Sequence, residues 1–544
     1  MEIRLDVVLR NHFSDILPCR FASYPTIKAE VIMSAKNGGL MLNKRRVGRF
    51  TLGILTMLII VALAGILLIV RPPSNLIDGS TQSGSAVQQR ISQNIIQTYC
   101  PAQMALADSG TYGDSEYQTS EGNITSSSRQ AAFGSIFDSS VTAIGSDSDT
   151  TSLQDPDPLD EASVLMSTAS VEKSSLLQSS QLLKASTGEG AASSVASWAS
   201  EGDLRGVSAA GCVSPSLDES FLLPSTQAGS SQQLVVANPS SKSTTVNIRV
   251  WGSKEAGSLA LSTASTITVG ADDESVFDVS AAAANQDALY VTVSSKETPI
   301  ASVVRITSMD GLTPHGSEYA TPVTEASQSI ALPGANKGDE VSLSVFSQTD
   351  TSVNVAWMTE NGLSETQRFS VTANKVQVNN LGKAPDDALG ISVTSDESVQ
   401  ASAMSTVTGN ADQQDFGLVA SSQAVKASAI TIPDHVQASA VLANTSNNEA
   451  SVTLSAFDTS GKALAVKQLK LGGNAAASVD ASSFGNGTAA ITLDDPQHST
   501  VWTARVTQSD VDKAKVAGLG FISQTALMPR TSLINANQTP GIVQ

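Results

Sequence analysis

Residues able to do chemistry are few in this sequence, and they stand apart. Three cysteines and four histidines are spread over 544 residues. His12 lies near the start, while His315, His435 and His498 stand alone in polar or proline-flanked stretches. None has a partner at the spacing of a zinc site, so they read as surface imidazoles and no metal centre is expected. There is no Gly-x-Ser-x-Gly elbow, no phosphate-cradling glycine loop and no His-Glu-x-x-His helix. Ser170–Lys173 matches the Ser-x-x-Lys opening of penicillin-interacting sites, but its surroundings are serine-rich and no Lys-Thr-Gly follows. Asp147, Asp149, Asp155, Asp157, Asp160 and Glu161 could offer Ca²⁺ its oxygen ligands. No register among them supplies the Gly and Glu of an EF-hand loop, and a solvated acidic loop is the simpler reading. An enzyme needs convergent reactive groups. We therefore expect no catalysis and no cofactor.

Two thiols and three indoles remain. Cys100 in "YCP" and Cys212 in "GCVSP" lack a C-x-x-C spacing and a neighbouring His or Lys that would favour a thiolate. A structural disulfide closing the N-terminal region onto the first repeat suits them better than a reactive pair. Trp251, Trp357 and Phe457 fall at matching places in three copies of a repeated segment. Such aromatics are most simply core anchors, with sugar-stacking platforms the functional alternative. Trp502 has no counterpart, so Trp251, Trp357 and Trp502 are the candidate ligand-stacking residues.

The elements that must position these residues are repeats. "DALYVTVSSKETPIASVV" from Asp287 returns as "DALGISVTSDESVQASAM" from Asp387, with eight of eighteen positions identical. Upstream, "TTVNIRVW" (Thr244–Trp251) corresponds to "TSVNVAWM" (Thr351–Met358) and to "ASVTLSAF" (Ala450–Phe457). Asn238 and Asn444 each stand at the end of a strand preceding these segments. Pro224, Pro333, Pro433 and Pro529 punctuate the copies, as suits edge-strand entries or linkers. Within each copy apolar and polar residues alternate (Val246, Ile248 and Val250 on one side), and Gly, Asn, Asp and Ser clusters supply turns. Alternating strands in units of about a hundred residues predict a mainly β protein of tandem Ig-like β-sandwich modules. A β-propeller with two blades per repeat is the alternative. "EASVLMSTASVEKSSLLQSSQLLKAS", ahead of the repeats, fits a helix or two strands.

Thr51–Val70 is an uncharged twenty-residue apolar run, long enough to cross the roughly 30 Å hydrocarbon core as a helix. Lys44, Arg45, Arg46 and Arg49 precede it, which predicts an uncleaved signal anchor with the N-terminus cytoplasmic. Residues 1–49 hold nine Lys/Arg against four Asp/Glu, and the remainder 23 against 47. An exterior that acidic argues against nucleic acid. The expected organisation is a basic tail over 1–49 (a start at Met33 would shorten it and remove Cys19), an anchor over 50–71 and a stalk over 72–94. A Cys-stapled region over 95–221 follows, then repeats over 222–329, 330–429 and 430–544.

"YCPAQM", "GDLRGVSAAGCVSP" and "LVVANPSSKSTTVNIRVWG" together resemble an actinobacterial family of single-pass envelope proteins, domain of unknown function 5719. The resemblance covers Ile95 to the C-terminus. It implies an exported, wall-facing protein with β-modules and no established enzymatic activity. The family is richer in aromatics after the second Cys, where this chain has only Phe221, so no aromatic ligand site is carried over. The resulting expectation is a non-catalytic structural or interaction protein of the plasma membrane, its modules extracellular, with envelope proteins or cell-wall glycan as partners. The alternative is a glycan-binding module linked to wall or surface-polysaccharide assembly.

Overall fold

The computed structural model describes residues 57, 87–107, 118–146, 150–154 and 164–536. Apart from Met57, the apolar run lies outside these residues, as do Cys19 and the acidic run Asp147 to Glu161. Among the described residues no helix is long and apolar enough to cross a membrane. Residues 87–536 form one compact unit.

Strands dominate this unit and fall into four modules, over residues 95–211, 218–320, 327–420 and 427–523. Each has eight strand positions in chain order. One sheet has the order first-sixth-third-fourth, the other fifth-second-seventh-eighth. In the third module the sixth and seventh positions merge into one long strand, Gly390–Thr408, that serves both sheets. The two sheets of a module enclose its core. In the second module Phe221, Leu223, Leu234, Val246, Ile248 and Val304 meet between them, because alternate side chains of every strand point inward.

The segment that recurs a hundred residues apart is therefore the sixth and seventh strand pair, Leu289–Ser295 with Ala301–Asp310 and its merged counterpart. Asn238 and Asn444 end the second strands of their modules. Each Nδ2 donates to the turn that follows and to the residue after the fourth strand, the Lys242 and Gly270 carbonyls in one case and the Asn448 and Gly472 carbonyls in the other, all within 2.7–2.8 Å. The prolines sit elsewhere than expected. Pro333 ends the first strand of its module, Ser327–Pro333, and Pro224 follows the first strand Asp218–Leu223. The modules thus begin one strand earlier than the proline spacing implied.

The region before the repeats is itself a copy. Its sheets have the same two strand orders, and "EASVLMSTASVEKSSLLQSSQLLKAS" supplies two strands, Leu165–Ser167 and Leu176–Leu182, rather than a helix. Much of its core is polar. Gln178 Nε2 donates to the Ala131 carbonyl (3.1 Å) and to Ser139 Oγ (3.2 Å), Ser139 and Ser180 hydroxyls bond at 2.7 Å, and Thr98 meets Ser193 at 3.1 Å.

The modules close into a ring. The first-strand sheet of each packs on the second-strand sheet of the next, and the fourth returns to the first. This is a head-to-tail arrangement whose rotation closes. The four eighth strands, Gly206–Gly211, Thr313–Ala320, Gln414–Ala420 and Gly520–Ser523, meet at its hub. The third module's core is built largely from bulky apolar side chains, whereas its seam with the fourth module brings together Ala331, Ala443 and Ala476 with Met358 and Val501. The sandwich is thus the structural unit, and the propeller-like feature is only the radial packing of sandwiches. Val87–Ser92 and Thr531–Ala536 pair antiparallel, joining the two ends of the unit.

Candidate functional site

The hub is organised by two buried carboxylates. Asp415 Oδ2 accepts the Val207 N–H of the first module (2.7 Å) and the Leu519 N–H of the fourth (2.9 Å), and Oδ1 accepts the Ser317 N–H of the second (3.4 Å). Val207, Ser317 and Leu519 each follow a glycine, and Asp415 stands in the third module where the others have Gly206, Gly316 and Gly518. Two residues further on, Glu318 Oε1 accepts the Ala209 N–H (2.8 Å) and the Tyr319 N–H (2.9 Å). A methyl group on Gly206 or Gly316 would lie 2.6 Å from the Asp415 carboxylate, and both glycines have positive φ (+143° and +107°). Burial pushes both carboxyls well above the usual range, Asp415 adds to the rise at Glu318, and the N–H donors oppose it. These groups tie strands of different modules together.

One end of the hub opens into a cleft of about 1160 Å³. The linkers that follow the four eighth strands all contribute to it, and one wall is the outer face of the second module's first-strand sheet. Rows of residues run across that face. Leu222, Tyr290 and Trp251 form the first and Ser220, Thr292 and Arg249 the second. The third module packs over the first row and reaches the second only at Ser220. Phe346 stacks on Tyr290 at 3.9 Å between ring centroids and lies 5.8 Å from Trp251. The second row borders the cleft, with Ser220 and Thr292 half-buried and Arg249 exposed, its guanidinium carbon 5.2 Å from the Trp251 ring centroid. Gln400 of the third module donates to Ser220 Oγ at 3.2 Å. Glu219, beside Ser220 but on the inner face, also borders the cleft and is 6% exposed. Neither of its oxygens has a partner in hydrogen-bonding geometry. Burial pushes its pKa up to about 8, against the opposing influence of Ser302 and Arg530.

The equivalent rows of the third module show what a closed seam looks like. Pro333, Gly390 and Met358 form the first and Ala331, Ser392 and Ala356 the second. All three residues of that second row are buried beneath the fourth module, at 3%, 9% and 5% exposure. Nearby, Arg505 makes a two-pronged ion pair with Asp339 (2.7 and 3.0 Å) and donates to the Gly334 carbonyl (3.0 Å).

The anticipated site residues divide accordingly. Cys100 and Cys212 are disulfide-bonded, but the bond is internal to the first module, joining the end of its first strand to the linker after its eighth. Trp357 does not match Trp251. Register aligns Trp251 with Met358, and the one-residue offset turns Trp357 to the opposite face, into the third module's core at 3% exposure. Trp502 is also a core residue, 1% exposed, its Nε1 donating to Ser428 Oγ at 2.8 Å. Neither ring has a face open to a ligand. Trp251 alone reaches the cleft, and Arg249 lies over it. Ser170 Oγ accepts the Glu172 N–H in a local turn. Among the described residues no three His, Cys, Asp or Glu side chains converge as metal ligands. Sequence reasoning missed Asp415, Glu318, Glu219 and Arg249. The triplets "GVS", "GSE", "DFG" and "GLG" at 206, 316, 415 and 518 were the available signal for the hub.

The profile of a family described as "Family of unknown function (DUF5719)" matches residues 166–482, more than half of the chain. The chain belongs to this family. The DUF5719 match takes in the second and third modules whole and parts of the two that flank them. No curated protein matches the chain. Among solved structures, similarity is found to dimeric latent PorU from Porphyromonas gingivalis, at 11% identity and TM-score 0.11, over 59% of this chain and 34% of that one. A tetra-tandem repeat in the extending region of a large adhesion protein is similar at 9% identity and TM-score 0.10, over 81% of this chain and 99% of that one. The chain spans about a third of the PorU chain. Scores this low carry no argument, and the reading of this DUF5719 protein rests on its own geometry.

Proposed function

We propose that this protein is a non-catalytic binding scaffold of the cell envelope. The apolar run Thr51–Val70 holds it in the plasma membrane with its N-terminus cytoplasmic, and the four-module ring lies outside. The cleft at the hub receives an envelope partner. The observation that carries this reading is the difference between equivalent rows, Ala331, Ser392 and Ala356 being buried while Ser220, Thr292 and Arg249 border the cleft, half-buried or exposed. A ring that needed only to close would seat every module alike. The non-catalytic part of the reading is supported by Asp415, whose two carboxylate oxygens are both committed to backbone N–H groups of other modules.

The test is co-sedimentation of the full chain with envelope material stripped of its own proteins. Binding that disappears in the double variant R249A/T292Y, with thermal unfolding unchanged, supports the reading. Retention of binding in that variant would assign the partner to another surface. A reporter fused after Gln544 should be active only outside the membrane, and activity inside would overturn the orientation.

A further inference from the structure

The chemistry of the open row narrows what can occupy the cleft, and this inference rests on the binding role proposed above. The lining is slightly acidic, with Arg249 and Arg530 set against Asp218, Glu219 and Glu325. Most of the remaining polar lining is hydroxyl or amide, including Ser220, Thr292, Gln348 and Gln400. A polyanion would meet more carboxyl groups than guanidinium groups there, on a chain of net charge −19. An apolar peptide is no better served. The apolar row Leu222, Tyr290 and Trp251 is already packed against Phe346 and Val376. The outer edge of strand Asp218–Leu223 is engaged too, its Ser220 carbonyl accepting the Val323 N–H at 2.8 Å, so no strand edge is offered for augmentation.

Arg249 carries the positive side of the argument. A guanidinium laid over an indole keeps its N–H donors at its rim in a rigid fork, a geometry suited to paired oxygen acceptors. Thr292 lies directly across the ladder from Arg249, and Ser220 across from Thr292, so hydroxyl groups continue at strand spacing beside that fork. The volume, about 1160 Å³, lies at the upper end of small-molecule sites and suits an oligomer better than a monomer. We propose that the cleft binds an uncharged, extended glycan. Arg249 donates to two adjacent hydroxyls of one sugar, while Ser220, Thr292 and Gln348 exchange hydrogen bonds with that unit and its neighbours.

The experiment titrates the full chain, purified in a detergent without a sugar headgroup, with neutral hexasaccharides of glucose, mannose, N-acetylglucosamine and arabinose. Hexagalacturonate serves as the charged counterpart, and calorimetry and tryptophan fluorescence give the readout. We expect saturable binding of at least one neutral hexamer and none of hexagalacturonate. The affinity should fall roughly tenfold or more in R249A, the loss of about one charge-assisted hydrogen bond, and in T292Y, which fills the row, with unfolding temperatures preserved. Failure of every neutral hexamer, preference for hexagalacturonate, or binding indifferent to both substitutions would each overturn the proposal. If the sugars fail while envelope material still sediments with the wild-type chain and not with R249A/T292Y, the binding role stands and the glycan assignment falls. If neither binds, both fall.

Discussion

The seam between the second and third modules and the seam between the third and fourth use the same two kinds of sheet in the same order, yet one is open and the other shut. In the shut seam the second row is Ala331, Ser392 and Ala356, small side chains over which the next sheet lies flush, and the Arg505–Asp339 pair latches it. In the open seam the first row is bulky. Tyr290 stands where the third module has Gly390 and stacks on Phe346, and the second row carries polar groups that border the cleft. The lesson is that a repeat can build its binding site by altering side-chain size in one row while leaving strand order alone. The hub makes the same point at smaller scale. One aspartate in a position that is glycine in the other modules collects N–H groups from three neighbours.

The largest expected effect falls on both seams alike. Asp415→Ala removes the acceptor of three inter-module N–H groups, and each orphaned buried donor costs about 1–3 kcal/mol. Urea denaturation should show a loss of roughly 4 kcal/mol or more, and an unchanged midpoint would mean that the hub does not hold the ring. Ala356→Arg asks whether the shut seam could tolerate the open seam's residue. It places a charge beneath the fourth module, and we expect a destabilisation of about 3 kcal/mol, the scale of an uncompensated buried charge. A neutral outcome there would erase the distinction between the seams.

Glu219 gives the open seam a pH signature. Its folded pKa, about 8, lies above the ordinary carboxylate value of about 4.3. The protonated form therefore favours the fold, and that contribution is fully present below the unfolded pKa and lost as pH rises toward the folded one. Glu219→Gln, which stays neutral, should gain on the wild type between acid and pH 8, by roughly 3 kcal/mol after allowing for local relaxation. Unfolding of both proteins from pH 5 to 9 checks this, and parallel curves would place Glu219 in contact with solvent. The smallest effect is expected at Arg249. Its replacement by Ala should change stability by no more than about 0.5 kcal/mol, as for an exposed side chain, so that any loss of binding is a loss of contact and not of fold. A large drop in unfolding temperature would make Arg249 a structural residue.

Legibility along the chain followed core chemistry. Copies with valine, isoleucine and leucine at alternate positions, such as "TVNIRV" and its relatives, announced their strands. The first module has the same topology but was not readable as a copy, because positions filled by aliphatics elsewhere are Thr98, Gln178, Ser180 and Ser193 here, satisfied by hydrogen bonds to one another. The tryptophans failed as a pattern for a different reason. An offset of one residue between Trp251 and Trp357 is small along the chain and complete across a sheet.

The amino-acid order by itself determined the β character, the hundred-residue period, the inward faces of the strands in the repeats and the two cysteines that join. All of these are set by neighbours along the chain or by plain counting. Tertiary structure alone decided that the modules number four, that they close on a hub tied by Asp415 and Glu318, and that the row Ser220, Thr292 and Arg249 borders a cleft while Ala331, Ser392 and Ala356 are covered. These depend on which side chains meet across a hundred or more residues, and on whether a glycine or a tyrosine stands between two sheets when they do. No periodicity within one segment records that.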